Sequence, residues 1–289
     1  MRVLMIGGTR FIGPYVARDL CELGHEVAVF HRGEHDGALP PSVHHVHSPD
    51  AAMPVVRIPD TLVRSKPDVV IHMIAMGEAD ARAAVDAFAG RIQRLVVLSS
   101  GDVYRAFARF TALEPGPLEP GLLTEESPLR ESLYPYRAQA QSTSDLSHYY
   151  DKILVEREVF ANAELTACVL RLPKVYGPGD NADLATVYAN RAHPEWRWTH
   201  LYVENVAAAI VLGAVHRKAG GRIYNVGEAY TPTIAERVAQ LPPSTVPLAP
   251  PGPFNFAQDI AYDTTRIRTE LGFNEPVSES EGVRRTLGG

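Results

Sequence analysis

The sequence predicts an α/β protein whose parallel sheet is covered by helices on both faces. Two observations lead to this prediction. In the first half of the chain, short runs of β-branched and other apolar residues alternate with longer segments of helical periodicity. The short runs are almost continuously apolar, as strands buried on both faces are. A chain of 289 residues is long enough for one large domain with a small appended subdomain.

The individual elements follow from these runs and from the residues that interrupt them. The predicted strands are Arg2 to Ile6, Glu26 to Phe30, Asp68 to Ile74, Arg94 to Ser99 and Thr166 to Leu172, with a further edge strand near His44, His45 and His47. The predicted helices are Phe11 to Leu23, Ala79 to Ala89 and Tyr149 to Ala161. Gly24 and Gly90 follow the first two helices, where glycine commonly ends a helix.

The second half of the chain is organised differently. The segment from Glu114 to Arg137 predicts a long loop, and six prolines between Pro242 and Pro253 predict an extended connector. After Tyr176 the alternation weakens, although a helix at Asn205 to His216 and a strand at Ile223 to Val226 are still expected. We therefore expect a main domain in residues 1–175 and a smaller region in residues 176–289 that partly returns to it.

Composition excludes several classes of protein. Hydrophobic residues make up 45% of the chain, but no apolar run approaches the roughly 20 residues that cross a bilayer. A net charge of -6 provides no field to attract nucleic acid. Cys21 and Cys168 lie in a predicted helix and a predicted strand, which suits core residues better than a disulfide. These features predict a cytoplasmic protein without membrane or nucleic-acid partners.

A glycine-rich turn, Gly7-Gly8-Thr9-Arg10-Phe11-Ile12-Gly13, follows the first strand and opens the first helix. Glycines permit tight turns and the close approach of a pyrophosphate, while the N–H groups and dipole of the helix start attract negative charge. A strand-to-helix turn without a ligand is the alternative. The strand and helix on either side favour a dinucleotide site.

The turn resembles the Gly-x-x-Gly-x-x-Gly motif of the extended short-chain dehydrogenases/reductases, the NAD(P)-dependent epimerase/dehydratase group, with Arg10 in place of the middle glycine. Further blocks resemble the same family in the same order: Ser99 to Tyr104, Leu170 to Gly179, Tyr202 to Ala207, Tyr224 to Gly227 and Arg266 to Phe273. The resemblance implies a Rossmann-type doubly wound sheet that binds NAD(P), with a small C-terminal α/β subdomain for a sugar-nucleotide or related carbonyl or hydroxyl substrate.

The resemblance also implies which residues bind the cofactor. They are Gly7, Gly8, Thr9, Arg10, Phe11, Ile12, Gly13, His31, Arg32, Ser99, Lys152, Leu172, Pro173 and Val175. NAD selectivity usually depends on an acidic residue after the second strand, whereas His31 and Arg32 occupy that place here. No carboxylate is expected there, and Arg32 with Arg10 suits a 2′-phosphate. We expect NADP, with NAD as the alternative.

The family's proton transfer uses a tyrosine and a lysine four residues later, which share a helix face. In this chain Glu156 supports aligning Lys152 with that lysine, but His148 stands four residues before it. Tyr149 and Tyr150 are the nearest tyrosines. Either the helix begins late enough to bring one of them into place, or the proton-transfer group has changed.

Two residues at the end of the strand Arg94 to Ser99 complete the candidate catalytic set. Ser100 matches the family's hydroxyl that orients the reacting oxygen, and Asp102 matches an acid/base position of the 4,6-dehydratase branch. The alternatives are a strand-end hydroxyl for Ser100, a turn or capping carboxylate for Asp102 and a solvated helix lysine for Lys152.

The remaining expectations concern ligands and partners. The segment from Gly179 to Arg197 is shorter than the one with which family members grip the nucleotide half of a sugar-nucleotide, so this gripping surface is expected to be small or absent. His44, His45 and His47 have no carboxylate or cysteine pattern around them, so no metal site is expected. The resemblance implies a homodimer. The alternative to an enzyme is a catalytically degenerate NADP-binding sensor or scaffold.

Overall fold

The computed structural model describes residues 1–35, 39–182 and 184–288. Within these ranges the strands are β1 (Arg2–Ile6), β2 (Glu26–His31), β3 (His44–His47), β4 (Val69–His72), β5 (Arg94–Ser100), β6 (Ala167–Leu172), β7 (Lys174–Tyr176), β8 (His200–Tyr202) and β9 (Arg222–Asn225). The helices are α1 (Ile12–Glu22), α2 (Asp60–Arg64), α3 (Glu78–Phe88), α4 (Arg105–Phe110), α5 (Leu146–Tyr149), α6 (Lys152–Ala161), α7 (Ala185–Tyr188), α8 (Val203–Val215), α9 (Ile234–Ala239), α10 (Thr265–Leu271) and α11 (Glu279–Thr286).

The main sheet confirms the predicted doubly wound α/β class. Across the described residues it has seven parallel strands in the order β3-β2-β1-β4-β5-β6-β9. Because the chain winds outward from β1 to β3 and then returns to the other side at β4, the order reverses between β1 and β4. Ligands of such sheets bind beyond the carboxyl ends of the strands at this reversal. Strands β7 and β8 form a separate small sheet.

Two apolar layers cover the faces of the main sheet. Alternating residues of each strand point to opposite faces, so Met5 of β1 faces the layer with α1 and α8, whereas Leu4 faces the layer with α3 and α6. The strands are therefore buried on both faces, which explains the nearly continuous apolar runs. Cys21 and Cys168 are free thiols, and Cys168 is buried within the first layer.

The predicted strands agree with the structure to within about two residues at each end. The predicted helix Tyr149 to Ala161 is confirmed from Lys152 to its end at Ala161, but its predicted start is wrong. The chain forms α5, leaves the helical conformation at Tyr150 and Asp151, and starts again as α6. The Asp151 carboxylate caps α6 by accepting the N–H of Ile153 at 2.9 Å. This break decides where the candidate catalytic tyrosine lies.

The region after residue 175 is divided between the main sheet and a smaller substructure. Strand β9 extends the main sheet beside β6, and α8 packs against α1. The predicted long loop from Glu114 has no helix or strand before the short turn Arg137–Gln139, and the proline segment from Pro242 to Pro253 is likewise irregular. Among the described residues, no helix has the length and apolar character needed to span a membrane.

Candidate functional site

A cleft opens where the strand order reverses, at the carboxyl ends of β1, β2, β4 and β5. Its volume is about 310 Å³, at the lower end of ordinary ligand pockets. The cofactor residues of the sequence analysis that line it are Gly7, Gly8, Thr9, Arg10, Phe11, Ile12, His31 and Arg32. The turn and the end of β2 therefore meet at one cleft.

The glycine turn has the geometry of a phosphate cradle. Gly7 and Gly8 adopt φ values of +74° and +95°, in the region that favours glycine. A Cβ on Gly13 would lie 1.9 Å from the Gly8 carbonyl oxygen, so Gly13 is needed for α1 to approach the turn. Among the described residues, no side-chain hydrogen bond caps the start of α1. The N–H groups at this helix start can therefore bind a diphosphate, which fits a dinucleotide.

The end of β2 differs from the expectation that no carboxylate lies there. Glu34 lines the cleft, and its carboxylate is 2.8 Å from the guanidinium of Arg32. The expectation was wrong because it considered only His31 and Arg32, whereas the turn at Gly33 brings Glu34 back to the cleft. Arg10 is exposed, and within the described residues it forms no ion pair.

Three histidines meet beside this turn: His31 from β2 joins His45 and His47 from β3. One nitrogen each of His31, His45 and His47 lies within 4.8 Å of the others. Both nitrogens of His31 take part in hydrogen bonds, with Nδ1 at 3.2 Å from the N–H of Gly33 and Nε2 at 2.9 Å from His45. A metal ion would have to displace these bonds, and the expectation of no metal stays a prediction.

The second group of candidate residues gathers at the end of β5. Ser100 ends this strand, and Asp102 lies in the short turn that follows. Tyr150 comes from the break between α5 and α6, and its side chain interacts with both Ser100 and Asp102. The Lys152 ammonium lies 5.5 Å from the centre of the Tyr150 ring. Four of the five predicted catalytic residues are thus brought together.

Tyr150 reaches this group because it is not helical. Its φ and ψ are -63° and 121°, and those of Asp151 are -161° and 107°. The three- and four-residue spacing that places side chains on one helix face does not apply across such a break. A spacing of two residues is therefore enough to bring Tyr150 beside Lys152. Tyr149, which still belongs to α5, does not join the group; its carbonyl lies against Gly77.

Burial shifts the pKa values of the ionisable side chains in this group. Burial raises the pKa of the Asp102 carboxyl, and the neighbouring Arg130 guanidinium opposes that rise. Burial and the Asp102 carboxylate raise the pKa of Tyr150 well above its ordinary value. Burial lowers the pKa of Lys152 to about 8. Tyr150 is consequently protonated near neutral pH and can act as a proton donor.

Asp102 also has a partner that the sequence analysis did not include. The hydroxyl of Tyr136 donates to Oδ2 of Asp102 at 3.1 Å. Within the described residues, Oδ1 of the buried Asp102 has no hydrogen-bond partner. Tyr136 stacks obliquely on Tyr150, with ring centres 5.3 Å apart. Tyr136 and Tyr150 therefore both lie against the Asp102 carboxyl group.

Lys152 links this group to the cleft. Its ammonium donates to the carbonyl of Ala75 at 2.5 Å and to that of Leu98 at 3.0 Å. Leu98 itself lines the cleft. The group around Tyr150 and Lys152 therefore adjoins the cleft that contains the glycine turn.

A buried ion pair fixes the break in the helix. The Arg130 guanidinium, from the long loop, lies 2.7 Å from the Asp151 carboxylate, and both side chains are fully buried. Nε of Arg130 also donates to the carbonyl of Asp102 at 3.0 Å. The Asp151 N–H donates to the Met76 carbonyl at 2.9 Å. Arg130 thus connects the residue next to Tyr150 with the turn of Asp102, and no local pattern in the sequence indicated it.

Other predicted cofactor residues lie apart from the cleft. The hydroxyl of Ser99 is buried and donates to the Glu156 carboxylate at 2.5 Å, which in turn pairs with Arg171. The carbonyl of Leu172 accepts the hydroxyl of Tyr262 at 3.2 Å. Pro173 and Val175 lie at the start of the small sheet. For Ser99 the alternating pattern of β5 places the side chain on the face away from Ser100.

Known proteins resemble this chain in sequence and in fold. A model of the NAD dependent epimerase/dehydratase family matches residues 3–227. The chain is 32% identical over 191 residues to the 2'-dehydrokanamycin reductase of Streptomyces kanamyceticus, an alignment covering 63% of this chain and 45% of that protein. The chain thus spans about half the length of the curated relative that it matches.

Solved structures share the fold at low sequence identity. An epimerase from Methanothermobacter thermautotrophicus is 18% identical with a TM-score of 0.73 over 99% of this chain and 90% of its own. The UDP-glucose 4-epimerase of Thermotoga maritima is 18% identical with a TM-score of 0.68, over 99% and 97%. The UDP-glucuronic acid 4-epimerase of Bacillus cereus is 16% identical with a TM-score of 0.68, over 99% and 98%.

Proposed function

Because the chain belongs to the NAD dependent epimerase/dehydratase family, we propose that it is an NAD(P)-dependent oxidoreductase, epimerase or dehydratase that acts on a secondary hydroxyl or carbonyl of a sugar-like substrate. The nicotinamide, when bound, accepts or supplies the hydride. The residues of this chain bind the cofactor, orient the substrate oxygen and move its proton.

One observation carries the proposal: the break before α6 places Tyr150 against Ser100 and Asp102, with Lys152 beside it. Ser100 would hold the reacting oxygen, and Tyr150 would give its proton to that oxygen in the reductive direction. Lys152 would hold the cofactor ribose, after leaving the carbonyls that it binds here. Asp102, whose buried carboxyl has a raised pKa, would serve as a second proton carrier.

For the cofactor we propose NADP over NAD. Arg10 and Arg32 both line the cleft, and we propose that their guanidinium groups pair with a 2′-phosphate. Glu34 opposes this preference, since its carboxylate occupies Arg32 and can accept hydrogen bonds from a ribose. NADP binding therefore requires Arg32 to exchange Glu34 for the phosphate.

For the substrate, two observations favour a sugar ring without a large nucleotide. The segment between Gly179 and Arg197, of which residue 183 lies outside the described ranges, contributes one short helix, α7. The relative with 32% identity carries a name that refers to 2'-dehydrokanamycin rather than to a sugar-nucleotide. Reduction of a keto sugar is thus the first reaction to test, and sugar-nucleotides are the second.

The test compares two adjacent tyrosines. Purified protein is assayed by the absorbance of reduced nicotinamide with keto sugars and sugar-nucleotides, first unchanged and then as Tyr150→Phe and Tyr149→Phe. Loss of the proton donor should lower kcat by about 100-fold or more in Tyr150→Phe, while Tyr149→Phe stays within about threefold of the unchanged protein. Equal activities of the two variants would remove Tyr150 from the mechanism. Cofactor binding without turnover of any substrate would favour a sensor or scaffold.

The family resemblance further leads us to propose a cytoplasmic homodimer through α3 and α6. These helices pack on each other, and Phe160 at the end of α6 is 40% exposed. The free thiols of Cys21 and Cys168 suit a reducing compartment. Light scattering should give a molecular mass of twice 31.6 kDa for the unchanged protein and of 31.6 kDa for Phe160→Asp. A monomer at all concentrations would exclude this arrangement.

A further inference from the structure

A pair of histidines holds the turn that follows β2. His31 is the last residue of this strand and is 4% exposed. Its Nδ1 accepts the N–H of Gly33 at 3.2 Å, and its Nε2 lies 2.9 Å from Nδ1 of His45. A neutral imidazole has one donor and one acceptor nitrogen. Nδ1 can therefore accept from Gly33 only when Nε2 carries the proton and donates it to His45.

The sheet register produces this pairing. Strands β2 and β3 are parallel, with His31 opposite His47 and Val29 opposite His45. Side chains alternate along a strand, so His45 and His47 share the face of His31, whereas His44 points to the other face. The rings of His31 and His47 meet edge to face, with centres 4.5 Å apart. His44 is thus a neighbouring histidine outside the cluster.

The turn held in this way carries the groups that face the cofactor. Arg32 and Glu34 flank Gly33, and both line the cleft. Gly33 has a φ of +87°, in the left-handed region. The bond from its N–H to His31 fixes the direction in which the chain leaves β2, and with it the position of the Arg32 side chain.

We propose that His45 is a positioning residue for cofactor selectivity. By accepting the proton on Nε2 of His31, it keeps Nδ1 of His31 unprotonated, and Nδ1 holds the turn that places Arg32 for a 2′-phosphate. His45 acts through His31 and Gly33 without touching the cofactor. The inference rests on the proposed NADP function and deepens it.

The test uses three variants and two cofactors. His45→Leu removes the acceptor, His45→Asn replaces Nδ1 by an amide oxygen at the same distance from the backbone, and His44→Leu is the control on the opposite face. Calorimetry measures Kd for NADP and for NAD. We expect His45→Leu to weaken NADP binding about tenfold and NAD binding less than about twofold, as for the loss of one positioned charged contact. In His45→Asn and His44→Leu the ratio of the Kd for NAD to the Kd for NADP should equal that of the unchanged protein.

The outcomes separate this inference from the proposed function. If His45→Leu weakens the binding of both cofactors equally, or changes neither Kd, the proposed role of His45 is overturned. If His45→Asn behaves like His45→Leu, ring packing and not proton acceptance is responsible, and the inference is again overturned. If the unchanged protein binds neither cofactor, or prefers NAD, the proposed NADP function fails before any variant is compared.

A second measurement needs no cofactor. Long-range ¹H–¹⁵N correlation of the imidazoles reports which nitrogen of each histidine carries the proton. In the unchanged protein the proton of His31 should be on Nε2. The fraction of His31 with its proton on Nε2 should fall in His45→Leu and stay the same in His45→Asn. A His31 proton on Nδ1 in the unchanged protein would contradict the arrangement directly.

Discussion

At the scale of single residues, a positive and a negative side chain face each other in the cleft, at the place proposed to recognise the cofactor's ribose. Arg32 and Glu34 are 2.8 Å apart and both are about half exposed. Such an exposed pair contributes little to stability, so a phosphate or a ribose hydroxyl can replace either partner at low cost. We therefore expect the balance between the two side chains to influence which dinucleotide binds better.

The opposite charges of Arg32 and Glu34 predict opposite effects on NADP binding when either side chain is changed. Arg32→Ala should weaken NADP binding by about ten- to thirtyfold, because a charge-assisted hydrogen bond is lost, and leave NAD binding nearly unchanged. Glu34→Gln should tighten NADP binding, because Arg32 no longer has a competing carboxylate. Calorimetric titration of each variant with both cofactors measures the effect. An Arg32→Ala protein that still prefers NADP would show that another cation recognises the phosphate.

A second residue, His72, ends β4 in the core and makes stability depend on pH. Burial lowers its pKa to about 3 from the ordinary 6.5, and neither ring nitrogen has a hydrogen-bond partner among the described residues. Below pH 6.5 the unfolded chain therefore binds a proton that the folded chain does not. The stability that this group contributes is present above pH 6.5 and is lost as the pH falls toward 3.

The prediction compares unfolding at two pH values. Between pH 7 and pH 5, His72 should cost the unchanged protein about 2 kcal/mol of its unfolding free energy. In His72→Leu this contribution disappears, so the decrease over the same range should be smaller by that amount. Urea denaturation at both pH values measures it, with the exposed His44→Gln as control. If the unfolding free energy decreases equally in the unchanged protein and in His72→Leu, His72 is protonated to the same extent in the folded and the unfolded chain.

At the scale of elements, the interruption between α5 and α6 creates the candidate catalytic group, and Arg130 maintains it. A fully buried ion pair costs desolvation free energy, yet removing one partner costs more, because the remaining charge stays buried. Asp151 additionally caps α6, so its loss would release the helix start beside Lys152. The break is thus held by contacts from the long loop and not by local preference.

The prediction for this element uses a single and a double variant. Arg130→Met should lower the unfolding free energy by about 3 to 5 kcal/mol, because the Asp151 carboxylate is left without its counter-ion. Adding Asp151→Asn removes that charge and keeps a capping side chain, so the double variant should recover at least half of the loss. Urea denaturation of both proteins tests this. A double variant no more stable than Arg130→Met would show that the packing of Arg130, not its charge, is required.

At the scale of the whole molecule, the sequence predicts those features that depend on neighbouring residues. The strands follow from local apolar runs, and the glycine turn from its position between β1 and α1. The break at Tyr150 does not follow from local pattern, because it depends on Arg130, which lies 21 residues before Asp151. The meeting of His31 with His45 depends on the register of β2 and β3. Features set by such long-range contacts require the folded structure.

A ligand bound in the cleft should affect the stability of the whole chain. The cleft is built from the ends of β1, β2, β4 and β5, so a dinucleotide bound there contacts the centre of the sheet. A ligand that binds only the folded state stabilises it by about 2.7 kcal/mol at one hundred times its Kd. For a chain of this length that should raise Tm by about 5 °C.

The final prediction concerns this stabilisation. NADP at one hundred times its Kd should raise the calorimetric Tm by about 5 °C, and NAD at the same concentration should raise it less, because its Kd is expected to be higher. The double variant Arg10→Ala with Arg32→Ala should unfold at the Tm of the unchanged protein without ligand, since both guanidinium groups lie at the surface of the cleft. With NADP its Tm should rise no more than with NAD. An unchanged Tm of the folded protein with either cofactor would mean that the N–H groups at the start of α1 hold no diphosphate, because a ligand confined to the folded state cannot bind without stabilising it.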